Sequence, residues 1–299
     1  MNIKHSLYGL LCGTLMLASC SSDEPTAPGA QTVEASFSLN IAGEVATRAG
    51  NSDSSLGGAQ NLGAENLNYI LALYEVAEND ALILSDFCQV SDRDGDGERF
   101  SPMVTLGKTY MMVALAHFGD RLTLTDAEKA YYLKAMPIEN IINSEAEDFY
   151  VATKTARFTV DNLQHELTLK RPYAKLRIVA TDWNQSAIQS VTVDYADNTL
   201  FSQFNALTNQ FSIGSTTKTI SASQYNTSDA ATAKTIVADY FPVNADTYLS
   251  TFKVTVTFND NTSFSRTFND IPLHRNALTT LSGTFFSSPS SMKYDVTRD

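Results

Sequence analysis

Apolar and polar residues alternate along much of the chain with the two-residue period of β-strands. In the first such segment, Ala35–Ile41, the apolar residues Phe37, Leu39 and Ile41 alternate with polar ones, which predicts a strand with one buried face. The same pattern predicts strands at Leu67–Glu75, Ala81–Val90, Met103–Leu106, Thr109–His117, Phe149–Ala156, Arg157–Val160, Glu166–Leu169, Tyr173–Ala180, Ile188–Tyr195, Thr235–Phe241, Thr251–Phe258, Ser263–Phe268 and Leu278–Phe285. Many short strands at regular spacing are typical of β-sandwiches or barrels, so we expect a mainly β fold.

For two of these segments the pattern also predicts which faces are buried. The run from Tyr110 to Leu115 is almost continuously apolar, which is typical of a central strand covered on both faces. Thr251–Phe258 alternates strictly, so one face should be buried and the other solvated. The turn-forming residues Asn259–Asn261 follow it, and Ser263–Phe268 is therefore expected to be the second arm of a hairpin.

One helix is predicted between these strands. Thr125-Asp126-Ala127-Glu128 is a capping box, in which the threonine hydroxyl accepts from a first-turn amide and the glutamate reaches back to the cap. Pro137 should end the helix, because proline cannot continue the hydrogen-bond ladder. Its apolar residues share one helical face: Ala127, Ala130, Tyr131 and Ala135.

The first residues have the pattern of an export signal. The apolar stretch Leu7–Ala18 is too short to span a bilayer, and small residues precede Cys20, an arrangement that resembles a lipobox. We expect residues 1–19 to be a lipoprotein signal peptide, Cys20 to carry lipid, and residues 20–34, rich in Ser, Pro, Ala and Thr, to be a flexible linker. The alternative is an ordinary secretory signal with a chance cysteine.

The length of 299 residues suggests two domains of about 100–150 residues each. The boundary is placed after the predicted helix, near Arg157. The prediction is an N-terminal β-sandwich domain at 35–157, which holds the helix, and a C-terminal β-sandwich domain at 158–299.

Composition limits the classes of function. The formal net charge is -12, and no Lys/Arg cluster is present, so a nucleic-acid partner is not expected. No HExxH, CxxC or Gly-x-Ser-x-Gly pattern occurs, and we do not expect an enzyme. The three cysteines are Cys12, Cys20 and Cys88. After processing, Cys88 would have no intrachain partner, and we expect it to be a buried, inert thiol.

One acidic cluster invites a metal hypothesis. Asp92, Asp94 and Asp96 stand at alternate positions with a glycine after the third, like the first half of a calcium loop. The twelfth position is Met103 and not glutamate, which excludes an EF-hand. Two interpretations stay open, an incomplete calcium site and a solvated acidic hairpin turn. No other cofactor is expected.

Four segments, in their order along the chain, carry a family resemblance. They are the lipobox at Cys20, Phe37–Ile41 followed by Thr47-Arg48-Ala49, Leu169–Leu176, and Ile271–Asn276. With these segments, over nearly its whole length, the chain resembles the FimB/Mfa2 and fimbrillin-like lipoproteins of Bacteroidales. The resemblance implies two transthyretin-like sandwich domains, a surface-exposed location at the cell outer membrane, and a role as stalk, tip or anchor of a fimbrium.

The resemblance also implies partners. In polymerising members an arginine-specific protease cuts near the end of the first strand, and a strand from the next subunit fills the groove that opens. Carried onto this chain, the cut falls between Arg48 and Ala49, although Arg48 could also be an ordinary loop arginine. In the tail, Met292, Tyr294 and Val296 alternate with charged residues and form the candidate donor strand. The alternatives are a last strand of its own domain or a frayed end.

A second hypothesis about function belongs to a different class. A surface lipoprotein that captures a glycan or host ligand and never polymerises would also have a lipid anchor and an acidic surface. Trp183, the only tryptophan, could stack on a sugar ring, whereas a place in the core or at its rim is the other interpretation.

Overall fold

The computed structural model describes residues 31–41, 67–92, 98–118, 122–137, 149–183, 188–195, 200–214, 217–221, 234–287 and 292–298. Within these ranges the chain forms twenty strands and one helix. The strands are β1 (Thr32–Glu34), β2 (Ser36–Ile41), β3 (Leu67–Val76), β4 (Leu82–Asp92), β5 (Glu98–Phe100), β6 (Met103–Thr105), β7 (Thr109–Phe118), β8 (Met136–Pro137), β9 (Phe149–Arg157), β10 (Gln164–Leu169), β11 (Tyr173–Ala180), β12 (Ile188–Tyr195), β13 (Leu200–Asn205), β14 (Gln210–Gly214), β15 (Thr217–Ser221), β16 (Lys234–Pro242), β17 (Thr247–Phe258), β18 (Ser263–His274), β19 (Ala277–Gly283) and β20 (Lys293–Arg298), and the helix is α1 (Asp126–Tyr132). The prediction of a mainly β fold with one short helix is confirmed.

The first large sheet has the strand order β4-β3-β7-β9, with every neighbouring pair antiparallel. Because side chains alternate across a strand, β3 and β7 contribute to two separate cores. Leu71 and Met112 enter one of them, while Ile70 and Val113 enter the other, together with Phe204 of β13. The sheet is therefore covered on both faces, as the apolar run in β7 predicts.

A second layer covers one face of that sheet. It consists of the three-stranded sheet β10-β2-β5 and the two-stranded sheet β1-β6, whose apolar side chains share a core with β3 and β7. The prediction of a linker up to residue 34 is wrong at its end, because Thr32–Glu34 is β1 and pairs with β6, Val33 opposite Val104. These residues can form a strand because their alternation of apolar and polar side chains continues that of β2.

A three-stranded sheet has the order β14-β13-β8, and two four-stranded sheets have the orders β16-β11-β19-β20 and β15-β12-β17-β18. The two four-stranded sheets lie in the C-terminal half. They enclose one core, to which β11 contributes Leu176 and Ile178, β12 contributes Val193, and β17 contributes Val254. This is a sandwich of two sheets packed face to face. The pairing of β11 with β19 is parallel, and that of the other neighbours is antiparallel.

The predicted hairpin is present as β17 and β18. Its turn is closed by Phe258 N donating to Thr262 O at 2.9 Å and by Asn261 N donating to Phe258 O at 2.9 Å. Asn261 has a left-handed φ of 64°, which asparagine tolerates better than most residues. The buried and exposed faces of β17 alternate as expected, with Phe252, Val254 and Val256 inside.

Helix α1 begins at the predicted capping box. The Thr125 hydroxyl accepts from Glu128 N at 3.3 Å, and Glu128 Oε2 accepts from Thr125 N at 2.7 Å. The helix ends at Tyr132, before the predicted stop at Pro137, which instead forms β8 with Met136. Among the described residues, no helix has the length and apolarity needed to cross a bilayer.

The two-domain division stays a prediction. The segment after Arg157 begins without a strand, which corrects the predicted strand at Arg157–Val160. Phe158 and Leu167 then pack into the core of the first sheet, beside Phe37. The chain therefore stays with the N-terminal layers up to Leu169 and joins the C-terminal layers at Tyr173.

Candidate functional site

The candidate site is the groove occupied by β2, which we call the opening strand. The opening strand runs parallel to β10, with Ser36 opposite Gln164, and antiparallel to β5, with Phe37 opposite Phe100. Its N-terminal end is fixed by Ser36 N donating to Leu163 O at 2.7 Å. A strand near the beginning of the chain is thus the middle strand of its sheet, and it satisfies the backbone groups of both neighbours.

The inner face of the opening strand is buried at its first two apolar positions and half-buried at its third. Phe37 and Leu39 are each 0% exposed, and Ile41 is half-buried. The Phe37 ring packs against Phe158 with centroids 6.1 Å apart, and it stacks on His165 at 5.4 Å. Without the opening strand, these aromatic side chains would face an open apolar slot.

His165 has an unusual environment within this groove. Its ring is almost fully buried between Phe37 and Phe158, and neither ring nitrogen has a hydrogen-bond partner of good geometry among the described residues. Burial lowers the pKa of His165, the positive charge of Lys154 lowers it further, and the backbone of Asn162 acts in the opposite direction. The ring is therefore held in its neutral form, because the charged form loses hydration there.

The predicted donor segment is the last strand, β20. It lies at the edge of its sheet and pairs antiparallel with β19, with Tyr294 opposite Leu281. Tyr294 is 57% exposed, while Met292 and Val296 are half-buried. In this structure the tail is thus a last strand of its own sheet, and its transfer to another subunit stays a prediction.

Of the remaining predicted site residues, all but Asp92 lie outside the described residues. These are the lipidation site Cys20, the cleavage pair Arg48 and Ala49, and the acidic residues Asp94 and Asp96. Among the residues that the structure does describe, no group of three or more His, Cys, Asp or Glu side chains is placed to hold a metal ion.

The hairpin interpretation of the acidic segment is wrong. Asp92 ends β4, which pairs with β3, whereas Glu98 begins β5, which pairs with the opening strand. The segment therefore connects two layers of the fold and does not close a hairpin. Turn-forming Asp and Gly residues satisfy either connection, so composition alone did not distinguish them.

Trp183 lies at the rim of a core, as one interpretation of the sequence predicts, whereas Cys88 is less buried than expected. Trp183 packs at the rim of the C-terminal core, 5.7 Å from Phe286 and 6.3 Å from Phe258 between ring centroids. Cys88 is a free, half-buried thiol. Burial, followed by the nearby charge and hydrogen bond of Asp86, raises the pKa of Cys88 to about 11, so the thiol stays protonated and unreactive at neutral pH.

Sequence reasoning missed how two of the resembling segments meet. Arg171 is fully buried, donates from Nη2 to the Tyr150 hydroxyl at 3.1 Å, and lies over the rings of Tyr150 and Tyr173. Its backbone N donates to Asn276 Oδ1, and Asn276 N donates to Tyr173 O, both at 2.9 Å. We call this contact between Leu169–Leu176 and Ile271–Asn276 the junction. Each segment carries part of the family resemblance, but no local pattern indicates a contact across 105 positions.

Solved structures share this fold at low sequence identity, among them the following two. The tip fimbrial protein Mfa3 from Porphyromonas gingivalis, with a C-terminal truncation, is 9% identical, covers 90% of this chain and 100% of its own, and superposes with a TM-score of 0.51. A "putative adhesin" from Bacteroides thetaiotaomicron is 15% identical, covers 91% of this chain and 99% of its own, and gives a TM-score of 0.50. At such identities the likeness concerns the fold.

Comparison of sequences gives a family without an assigned role. No curated protein matches the chain. The family model described as "Family of unknown function (DUF6562)" matches residues 25–299, which is nearly everything after the predicted signal peptide. Membership of the FimB/Mfa2 family stays a prediction, and the chain belongs to the family of unknown function DUF6562.

Proposed function

We propose that this chain is a non-enzymatic, cell-surface component of a fimbrium, as stalk, tip or anchor, that gives up its opening strand and receives a strand from a neighbouring subunit. The observation that carries the proposal is the position of β2, the middle strand of its sheet with Phe37 and Leu39 fully buried. A tip fimbrial protein shares the fold, which supports a fimbrial or adhesive role.

Proteolysis would break the covalent link between the opening strand and the rest of the subunit, so that the strand could be removed. Arg48 follows shortly after Ile41 in the sequence, so a cut between Arg48 and Ala49 would leave the strand attached by non-covalent contacts alone. Its departure would expose unpaired backbone groups on β10 and β5 beside an apolar slot. A strand from another chain can satisfy both needs by β-augmentation.

The tail has the side-chain spacing that this groove accepts. Its release would cost little, because Tyr294 is largely exposed and β20 pairs on one side only. An edge strand also leaves its sheet more readily than a middle strand, since fewer backbone bonds are lost. The apolar residues of the two strands repeat at the same interval: Phe37, Leu39 and Ile41 in the opening strand, and Met292, Tyr294 and Val296 in the tail.

The same proposal places the chain at the outer membrane. The lipobox supports export as a lipoprotein held by a diacyl group on Cys20. Cleavage after Arg48 would separate that anchor from the body of the subunit. An uncut chain would then stay on the membrane as an anchor, whereas a cut chain would be free to enter the fimbrium.

Treatment of the signal-less precursor with an arginine-specific protease tests the cleavage step. We expect mass spectrometry to detect a product that begins at Ala49, and denaturing gels run without heating to show a ladder of oligomers. The matched control is Arg48→Lys, which keeps the charge but removes the arginine that the protease requires. A wild-type chain that stays uncut at Arg48, or that is cut and stays monomeric, would argue against strand exchange.

Removal of the donor is the second arm of that experiment. A chain lacking residues 292–299 should still be cut at Arg48 but should no longer form the ladder, because the groove of each subunit would lack an incoming strand. If the truncated chain formed the same ladder as wild type, the tail would not be the donor. The binding hypothesis, in which the chain never polymerises, predicts no ladder from either chain.

A further inference from the structure

A cleft of about 610 Å³ opens beside the junction. Its walls come from distant parts of the sequence, including Lys170 after β10, Asn209 in the turn between β13 and β14, and Asp246 before β17. His274, the last residue of β18, and Arg275, which follows it, add further polar groups to the lining. Clefts of about 300–1,000 Å³ are typical of sites for small ligands.

The lining of the cleft is positively charged in an acidic chain. Lys170, Arg171 and Arg275 contribute three positive charges against the one negative charge of Asp246, so the lining carries a net charge of +2 with histidine neutral. The whole chain has a formal net charge of -12. A concave surface of one sign concentrates ions of the opposite sign, so this cleft favours an anionic ligand.

Two of these cations have hydrogen-bonding capacity left over. Arg275 Nη2 donates to Val243 O at 2.7 Å and to Asn209 O at 3.3 Å, while its Nε has no acceptor among the described residues. The Lys170 side chain is exposed and forms no ion pair with a described residue. An arginine and a lysine on one cleft can bind a carboxylate with charge-assisted hydrogen bonds.

Neutral polar groups in the same cleft could form hydrogen bonds with the hydroxyl groups of a ligand. Asn209 Oδ1 is buried without a donor among the described residues, and the Thr247 hydroxyl lies 2.9 Å from His274 Nδ1. Burial lowers the pKa of Arg275, which the charge of Asp246 opposes, and a bound anion would compensate that loss of hydration. We infer that the cleft binds an acidic sugar, with its carboxylate toward Arg275 and Lys170 and a hydroxyl toward Asn209.

Titration calorimetry of the full chain tests this site with sodium glucuronate as the probe. We expect saturable binding of glucuronate, and none of glucose, which has the hydroxyls but no carboxylate. The variant Lys170→Gln should weaken glucuronate binding by about threefold to tenfold, because it removes one charge-assisted contact. The matched control Lys253→Gln changes an exposed lysine on β17 that does not line the cleft, and it should leave the affinity unchanged.

Sodium glutamate distinguishes a sugar site from a site for any carboxylate. Glutamate that binds as tightly as glucuronate would overturn the assignment to a sugar, and so would equal binding of glucose. No saturable binding up to about 10 mM glucuronate would overturn the site itself. Equal effects of Lys170→Gln and Lys253→Gln would do the same. Thr168 of β10 borders both the cleft and the opening-strand groove, but the proposed ligand contacts Lys170, Arg275 and Asn209 lie outside that groove, so either proposal can fail alone.

Discussion

At the scale of single residues, Phe37 joins the opening strand to the rest of the N-terminal core. Its ring contacts both Phe158 and His165, and Tyr110 meets Phe158 edge-on at 5.4 Å. Aromatic side chains dominate the free energy of a core because each buries a large apolar area. Under the proposed exchange, an incoming strand would have to supply a side chain of comparable size at that position.

Replacement of Phe37 by alanine should destabilise the uncut chain strongly. We expect the free energy of unfolding to fall by about 3–5 kcal/mol, as for other buried Phe→Ala changes. The matched control Ser36→Ala alters an exposed neighbour on the same strand and should change the free energy of unfolding by less than about 0.5 kcal/mol. Urea denaturation followed by fluorescence measures both, and equal effects would contradict the burial of this face.

His165 should make stability depend on pH. Its pKa is lowered in the folded state from 6.5, so the unfolded chain binds a proton more readily. The contribution of neutral His165 is present above pH 6.5 and is lost as the pH falls through the unfolded and then the folded pKa. Urea denaturation between pH 5 and pH 7.5 should show this loss.

Two variants separate His165 from other titrating groups. His165→Phe should flatten the pH dependence, because the ring can no longer be protonated in the core. His274→Gln, which changes a half-buried histidine outside the groove, should retain it. A wild-type chain equally stable across the range would contradict the account of this ring.

At the scale of elements, regular apolar patterns predicted the structure and weak patterns did not. Tyr173–Ala180 and Ile188–Tyr195 were predicted with the bounds that β11 and β12 have, because apolar residues recur at every second position over most of each segment. Gln210–Gly214 and Thr217–Ser221 were missed, since each has few apolar residues and is held by hydrogen bonds to neighbouring strands. Local sequence does not encode such pairing.

In the candidate site, too, the local sequence predicts the buried face of one strand but not the pairing between distant strands. The buried face of the opening strand follows from alternation within Ala35–Ile41, and Phe37 and Leu39 are buried as predicted. Its parallel partner β10 lies far away in sequence, with Asn40 bonded to Glu166 across 126 positions. Neither this pairing nor the junction at Arg171 follows from a local pattern, because both depend on how whole layers pack.

The turn of the β17–β18 hairpin allows a test at the element scale. Asn261 has a φ of 64°, a region that β-branched residues avoid and glycine occupies freely. We expect Asn261→Val to lower the free energy of unfolding by about 1–2 kcal/mol and Asn261→Gly to change it by less than about 0.5 kcal/mol. Thermal unfolding by circular dichroism measures the pair. A valine variant as stable as the glycine variant would mean that this turn does not hold the hairpin in register.

At the scale of the whole molecule, strands near the two ends of the chain differ in how they are held. The opening strand is paired on both sides and buried, whereas β20 is paired on one side and largely exposed. This asymmetry is compatible with the proposed strand exchange, because a tail paired on one side only could leave its sheet and fill the apolar groove of the next subunit. The junction borders the opening strand at Leu169, opposite Ile41. The buried bonds of Arg171 to Tyr150 and Asn276 involve neither β2 nor β20, so the body of the subunit can stay folded while the two strands move.

Hydrogen exchange measured by mass spectrometry tests strand exchange most directly. The chain is first cut at Arg48 and then mixed with an excess of a peptide that has the sequence of residues 288–299. We predict that the fragment ending at Arg48 is released and loses its protection, while the amides of β10 and β5 stay protected because the peptide has taken the place of the opening strand. If that fragment stays bound and protected at every peptide concentration, the opening strand is a permanent part of the core and the proposed exchange is wrong.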